Sequence, residues 1–532
     1  MHNLILSDNY FVGVIPPSLG NLSALRVLDL SHNKLNGTIP VSIGQLSNLK
    51  ILDLSFNSLE GVVLFETHFA NLLMLDELRT RYAFLTLKVR SDWIHPFQLK
   101  SILMRSCRVG IQFPQWLLTQ KKVVELDLSN TSISGTLPKW LHDMPILELY
   151  LSHNHISGTI LKFPSMVNIV DLSHNYIPGL IPQNIGDMVP TLESFLLDDN
   201  LINDLIPNSL CKIVTLNELD LSKNMLFGNL PQYQGVSGEI PNIRVIKFSS
   251  NNLSRIIPSF IGHLSGLYWL QLNNNSLYGE LLLGLRNCTC LLGLDLSENG
   301  FSGNIPGWIG EPESLKILRF HNNMFNGMIP SQLCQLLGLQ IIDLANNNLE
   351  KSISFCFGNL IGMILNGECF GIEVLEWSNE NMIQTMHENE VEYSTTLLCL
   401  VNMDLSRNNL TGTIPEELSL LSSTIPESMS NLSFMSHLNL PYNNLSGRIP
   451  TGNQLQTLND PSIYVGNIVH RGAFVLKKCS IDGHSQPSPI STSHEETYEG
   501  DELKKVWFYL VIMSGYATGL WRVIGVLLFK KN

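Results

Sequence analysis

The sequence predicts an α/β repeat solenoid: a superhelix with a concave parallel β-sheet, an irregular or 3-10 convex side, and one C-terminal transmembrane helix. Three observations predict it. Residues 25–40 read LRVLDLSHNKLNGTIP, and the same leucine and asparagine spacing returns at Leu49, Leu52, Leu54 and Asn57. Asn33 and Asn57 are 24 residues apart, a period in the range of solenoid repeats. Residues 506–529 are an apolar run of 24 residues, long enough as a helix to cross a bilayer.

With Leu25 as position 0, Leu28 and Leu30 fall at +3 and +5. Residues two apart in a strand point to one face. One turn cannot bury that face alone, but stacking the next turn does, at roughly 1.5–3 kcal/mol per leucine. Asn33, at +8, stands where the chain leaves the strand. Its amide has two donors and an acceptor for backbone groups of its own turn and the next. Gly37 permits a tight bend, and Pro40 fixes φ. This is a leucine-rich repeat. The structural ladder is Asn33, Asn57, Asn154, Asn175, Asn200, Asn224, Asn251, Asn275, Asn299, Asn323, Asn347, Asn408 and Asn443, with Ala83, Cys107 and Thr131 filling the column between Asn57 and Asn154.

The motif LxxLxLxxNxLxGxIP, which residues 315–330 follow as LKILRFHNNMFNGMIP, resembles the plant extracellular type of repeat. The whole chain resembles plant leucine-rich-repeat receptor-like proteins, which have an ectodomain, one membrane span and almost no cytoplasmic part. The resemblance implies an extracellular peptide, protein or glycan ligand. It also implies a membrane-bound receptor kinase as partner, reached through the ectodomain and the transmembrane helix.

The chain carries 33 basic and 46 acidic side chains over 532 residues, a formal charge of −13. That balance argues against nucleic acid. Met1 already stands at position 0 of a repeat, with Leu4, Leu6 and Asn9 after it, and no charged-then-apolar signal segment precedes it. The expectation is a sequence that lacks its true start, or a truncated member. The domains read as repeats over 1–349, an acidic non-repeat island over 350–398, the last repeats over 399–450, and a degenerate cap and acidic juxtamembrane spacer over 451–505. The membrane helix at 506–529 and a cytoplasmic tail at 530–532 follow.

Within that frame, residues 89–97, with Trp93 and Pro96, read as an irregular outer loop. The island is a solvated acidic loop or a ligand or co-receptor contact, since long loops are often functional. Thr-Ile-Pro occurs at 413–415 and again at 424–426, which reads as a junction where a strand half is missing. The resemblance implies a paired-cysteine cap near Cys479, but His470 and Arg471 stand where the second cysteine is expected. In the span, Gly515 and Gly519 form GxxxG, a close-packing face for another helix or an incidental pair. Arg522 is a charge inside the span, close enough to its end to snorkel.

Nine cysteines leave at least one unpaired. Cys334 and Cys356, near one repeat apart, are the disulfide candidate, and Cys107 and Cys211 read as buried thiols. Glycosylation sequons fall at Asn21, Asn36, Asn130, Asn252, Asn274, Asn287, Asn409, Asn431 and Asn444. No phosphate-binding glycine loop, HExxH, GxSxG or metal-spaced cysteine or histidine cluster occurs. The expectation is therefore a non-enzyme with no cofactor and no metal.

Binding is the remaining class. Positions +2, +4 and +7 should face the concave surface. Aspartate at +4 recurs (Asp29, Asp53, Asp127, Asp171, Asp220, Asp295, Asp343, Asp404) and reads as repeat background. The departures are Tyr150, Lys247, Gln271 and Arg319 at +4, and Trp269 at +2. Exposed tryptophan and basic side chains are what binding hot spots use. The alternative for Trp269 is sideways packing on Tyr268. The expected function is a plasma-membrane, single-pass type I receptor-like protein sensing a defence or developmental signal through the concave face and signalling through a partner receptor kinase. The alternatives are a soluble enzyme inhibitor of the polygalacturonase-inhibiting type and a non-functional truncated paralogue.

Overall fold

A computed structural model of the chain describes residues 1–160, 162–232, 241–364, 382–386, 389–393, 401–420, 437–448, 464–467 and 469–471. They belong to the unit Met1–Lys478, and the second unit, Cys479–Asn532, lies outside the described residues. The expected helix at 506–529, with Gly515, Gly519 and Arg522, falls in that second unit, as does Cys479. Among the described residues no helix is long and apolar enough to cross a membrane.

Three-residue strands climb the array from Asn3–Ile5 through Val27–Asp29 and Ile51–Asp53 to Asn402–Asp404 and His437–Asn439, and seventeen of them form one parallel sheet. The register never slips. Leu28 pairs with Leu4 and with Leu52, and Asp29 with Ile5 and with Asp53. Each repeat position therefore stacks on itself. The leucines at +3 and +5 run down the interior, where Leu28, Leu49, Leu54, Leu270 and Leu318 have no accessible surface.

The turn after each strand has its own chemistry. Asp29 Oδ1 accepts from the amide of Ser31 at 3.0 Å and from its hydroxyl at 2.6 Å, and Asp171 with Ser173 and Asp220 with Ser222 repeat the pattern. The aspartate at +4 thus closes a local turn. The residue at +7 is left-handed throughout, with φ of 51° at His32, 54° at His153, 52° at Asp199 and 54° at Asn274. Asparagine, aspartate and histidine tolerate that conformation best among residues with a side chain.

The ladder asparagines then tie turns together. Asn57 Nδ2 donates to the carbonyls of Leu30, Leu54 and Ser55 at 2.9, 3.2 and 3.1 Å, and its Oδ1 accepts from the amide of Leu35 at 3.0 Å. The side chain reaches back to the preceding turn, where the sequence reading had it reaching forward. The reason is that the chain leaves the strand toward the turn already laid down. Thr131 and Cys107 keep a reduced version. Thr131 Oγ1 donates to Leu128 O at 2.7 Å, and the Cys107 thiol to Thr80 O at 3.1 Å. Ala83 is buried and has no polar side chain to offer. The column also continues past Asn443 to Asn467, whose Oδ1 accepts from Leu445 N at 3.1 Å and whose Nδ2 donates to Leu440 O at 3.1 Å.

The convex side consists of short 3-10 helices that follow prolines, such as Val41–Gln45 after Pro40 and Ser331–Gln335 after Pro330. Their glycines allow close stacking: a Cβ on Gly44 would meet Thr67 O at 2.7 Å. A second sheet of nine short strands, among them Asn252–Arg255, Ser276–Gly279 and Asn444–Arg448, lines the flank. Around residues 89–97 the convex side is filled by rings. Trp93 packs on Phe69, Phe97 and Trp116 at centroid distances of 5.6, 5.9 and 6.0 Å. His95 joins them and bonds Thr119 Oγ1 at 2.7 Å. The segment is an irregular loop that turns Trp93, His95 and Phe97 into the core and leaves Arg90, Asp92 and Ile94 outside.

Strand Ile341–Asp343 pairs directly with Asn402–Asp404, and Leu349 N donates to Asn408 Oδ1 at 3.0 Å. The segment between them is therefore an insertion in an otherwise continuous stack. It begins later than residue 350, because the 3-10 helix Phe355–Asn359 still occupies its convex slot and Phe357, Leu360 and Met363 are in the core. The described part of the insertion includes an antiparallel pair, Met382–Met386 with Asn389–Tyr393. Across the second irregularity, Asn402–Asp404 pairs directly with His437–Asn439, while residues 421–436, with the junction read at 423–424, lie outside the described residues.

The ladder sets a stability expectation. Asn299 bonds Leu272 O at 2.9 Å and Leu296 O at 3.1 Å, and accepts from Leu277 N at 3.0 Å. Asn299→Leu strands these groups at about 1–3 kcal/mol each. Denaturant unfolding should show a clear loss, and an unchanged midpoint would mean that water satisfies the rung.

Candidate functional site

The concave face is the one surface built from a single, continuous register, so side chains 24 residues apart in sequence become neighbours. Lys247 pairs with Gln271, Gln271 with Asp295, Asp295 with Arg319 and Arg319 with Asp343. Four of the residues singled out from sequence, Lys247, Trp269, Gln271 and Arg319, are thereby brought together. Tyr150 is not. It sits beside Asp127 and Asp171 several strands away, donating to Glu148 Oε2 at 3.1 Å. Burial, aided by Glu148, pushes its phenol up.

Their exposure is not what the sequence suggested. Trp269 is 4% exposed and Arg319 3%. The indole lies over the next strand at Gly293, where a Cβ would meet its ring at 2.3 Å. The ring packs sideways, over a glycine of the following turn. Arg319 lies between two aspartates, with Nη1 2.9 Å from Asp295 Oδ2 and Nε 3.6 Å from Asp343 Oδ2. Lys247 Nζ is 3.9 Å from Asp220 Oδ2. Arg319 is countered by aspartates on both sides and Lys247 by the one on the preceding strand.

Two residues that sequence reading passed over belong to this surface. His321 at +6 lies 2.9 Å from Asp343 Oδ2 and 3.4 Å from Glu298 Oε1. Burial alone pulls its imidazole down, but these carboxylates push it up to about 10. Asp343 is pressed upward by burial, yet His321 and Arg319 hold it below the usual carboxylate range. Asp198, also at +6, is raised to about 8 by burial and by Asp220 and Asp171. The signal was available: +6 is serine in most turns, and Arg81, Arg105, Asp198 and His321 break that rule. Arg81 spans two turns to reach Asp127 at 2.9 Å and Glu125 at 3.5 Å.

Elsewhere, the sulfurs of Cys334 and Cys356 are bonded, with Cα atoms 5.9 Å apart. Cys107, Cys211 and Cys288 are buried thiols raised by burial to about 11, 12 and 11. The sequon residues Asn21, Asn36, Asn130, Asn252, Asn274, Asn287, Asn409 and Asn444 are exposed, and Asn431 lies outside the described residues. Among the described residues no group of three or more metal-ligating side chains forms.

Two family descriptions, both leucine rich repeat, match this chain. One covers residues 1–59, the other 122–144, 242–264, 290–311, 314–336, 338–360 and 399–421. The chain is 35% identical over 174 residues to receptor-like protein EIX2 of Solanum lycopersicum, which is 31% of this chain and 16% of that protein. It is 38% identical over 264 residues to receptor-like protein 13 of Arabidopsis thaliana, 48% of this chain and 24% of that protein. Over these stretches the chain is similar to plant leucine-rich-repeat receptor-like proteins. The matched stretches span about a quarter or less of these two relatives. Among solved structures, the crystal structure of a TDR receptor matches with a TM-score of 0.61 at 26% identity, over 88% of this chain and 93% of that one. The Arabidopsis receptor kinase HAESA, in complex with the peptide hormone IDA and the co-receptor SERK1, matches at 0.51 and 26%, over 87% and 81%.

The charge network around Arg319 should be read out as stability. Arg319→Met leaves Asp295 buried without its cation and Asp343 with His321 alone, a loss of about 3–5 kcal/mol. The pH dependence has a definite sign. His321 binds its proton more tightly folded than unfolded, so its contribution is complete below 6.5 and is lost as pH rises toward 10. Urea midpoints should therefore fall between pH 7 and pH 10, and His321→Asn should flatten that part of the profile.

Proposed function

We propose that the chain is a cell-surface receptor-like protein that captures an extracellular ligand on its concave face and signals through a membrane-bound receptor kinase. The observation that carries the reading is the run Lys247, Gln271, Asp295 and Arg319 on adjacent strands, where lysine, glutamine and arginine replace the repeat's aspartate on either side of Asp295. Strands lie about 4.8 Å apart, so this run extends roughly 14–15 Å, the reach of a short peptide or oligosaccharide. The likeness to peptide-hormone receptor ectodomains and to plant receptor-like proteins supports the same class. The acidic insertion after residue 364 is the second contact proposed, for ligand or co-receptor.

The ligand signal is defence or developmental, and the exposed sequons carry glycans. Residues 506–529 anchor the chain with the repeats outside, and Gly515 and Gly519 offer a face to the kinase helix. No cofactor is required.

Two measurements test this. A screen of peptides and wall oligosaccharides should yield a ligand whose affinity falls about tenfold or more with Lys247→Ala or Gln271→Ala, while Asp53→Ala changes it little. An affinity indifferent to both would move the site to the insertion. Expressed in plant cells behind a secretory signal, the protein should stay in the membrane pellet on carbonate extraction, and its release in intact form would refute the anchor.

A further inference from the structure

His153 and His174 hold the same position on adjacent turns, each one residue before a ladder asparagine, Asn154 and Asn175. Left-handed backbone at both, φ of 54° and 52°, aims the rings along the rim of the concave face. The imidazoles stack with centroids 4.1 Å apart and planes 11° from parallel. Both nitrogens of His174 face carboxylates: Nδ1 is 2.7 Å from Asp199 Oδ2 and Nε2 is 3.6 Å from Asp198 Oδ2. His153 feels His174 and Arg105 as cations and Asp171 and Asp199 as anions. Asp198 in turn faces Asp171, Asp220 and Lys247.

This grouping is particular to one place in the array. On the turns before and after, the aspartate at +4 bonds the serine at +6, as Asp171 does with Ser173 and Asp220 with Ser222. In the turn between them Leu196 takes +4 and the carboxylate moves to +6 as Asp198. A third carboxylate is thereby placed between Asp171 and Asp220, next to the stacked pair.

We propose that the stack of His153 and His174, set against Asp198 and Asp199, is a pH-responsive device in the rim: closed while only one ring is charged, and opened when the second ring takes up a proton. Two imidazolium rings face to face at this distance repel, and His174 is fixed at Nδ1 by Asp199, so His153 is the ring that yields. Burial, His174 and Arg105 together keep His153 below the usual histidine value. Asp198 carries its own proton through the same range, because burial, Asp220 and Asp171 push it to about 8, and it offers His153 no compensating charge. The folded state thus binds fewer protons at His153 than the unfolded chain does. Its contribution to stability is complete above 6.5 and is lost as pH falls. The device does not depend on the ligand reading above.

The test is histidine-selective NMR on the full chain across pH 4.5–8, with the two signals assigned through His153→Asn and His174→Asn, asparagine being suited to left-handed backbone. Two results are expected: the His153 step lies below 6.5 and moves the His174 resonance in the same step, and His174→Asn raises the His153 step toward 6.5. Independent titration of the two rings, or a His153 step untouched by His174→Asn, would overturn the proposal. If the His174→Asn protein fails to fold, the shared step in the unmodified protein decides the matter alone.

Discussion

Everything in this molecule depends on satisfying backbone groups at the point where each three-residue strand ends. The strands are too short to cover their own termini, and the carbonyls of Leu30, Leu54 and their equivalents point into the interior. A carboxamide at +8 satisfies its own turn and the turn before it at once, as Asn57 does with Leu30, Leu54, Ser55 and Leu35. Leaving such groups unpaired in an apolar interior is costly. The rung therefore joins the turns in series, which is why the register of the sheet holds even across a long insertion.

Once the register is constant, chemistry on the concave face becomes a matter of columns. Aspartate at +4 and serine at +6 form a neutralised, self-contained turn, and repeats that keep both present a uniform surface. Function can be placed only where the column is broken. Two breaks stand out. Around Arg319, cations at +4 and +6 are interleaved with Asp295, Asp343 and Glu298, and the charges are held by one another across turns. Around Asp198, a carboxylate is added between Asp171 and Asp220, beside two stacked histidines. The first is a paired network; the second is the site of the proposed pH response.

The insertion after residue 364 shows how the solenoid accepts additional material. Asn347 and Asn408 are separated by more than two repeat lengths in sequence, yet they occupy neighbouring rungs, because Leu349 N donates to Asn408 Oδ1. The insertion disturbs neither the pairing of Ile341–Asp343 with Asn402–Asp404 nor the ladder. That is the physical reason such a fold can vary its contacts without losing stability.

The period, the core positions Leu28 and Leu30, the asparagine column and the reading of Asp29 and its equivalents as repeat background were all legible in the sequence, because each is a one-dimensional property that recurs every turn. Only the tertiary structure decided what depends on two turns at once. Trp269 looked exposed until Gly293 of the next strand made room for its indole. Arg319 looked like a free cation until the register set it between Asp295 and Asp343. Asn467 continued the ladder, 24 residues past Asn443, without the leucines that would have announced it. A sequence states which residue occupies a position. Whether that side chain faces solvent, a glycine or an opposite charge is set by its neighbours 24 residues away on either side, and those meet only when the turns stack.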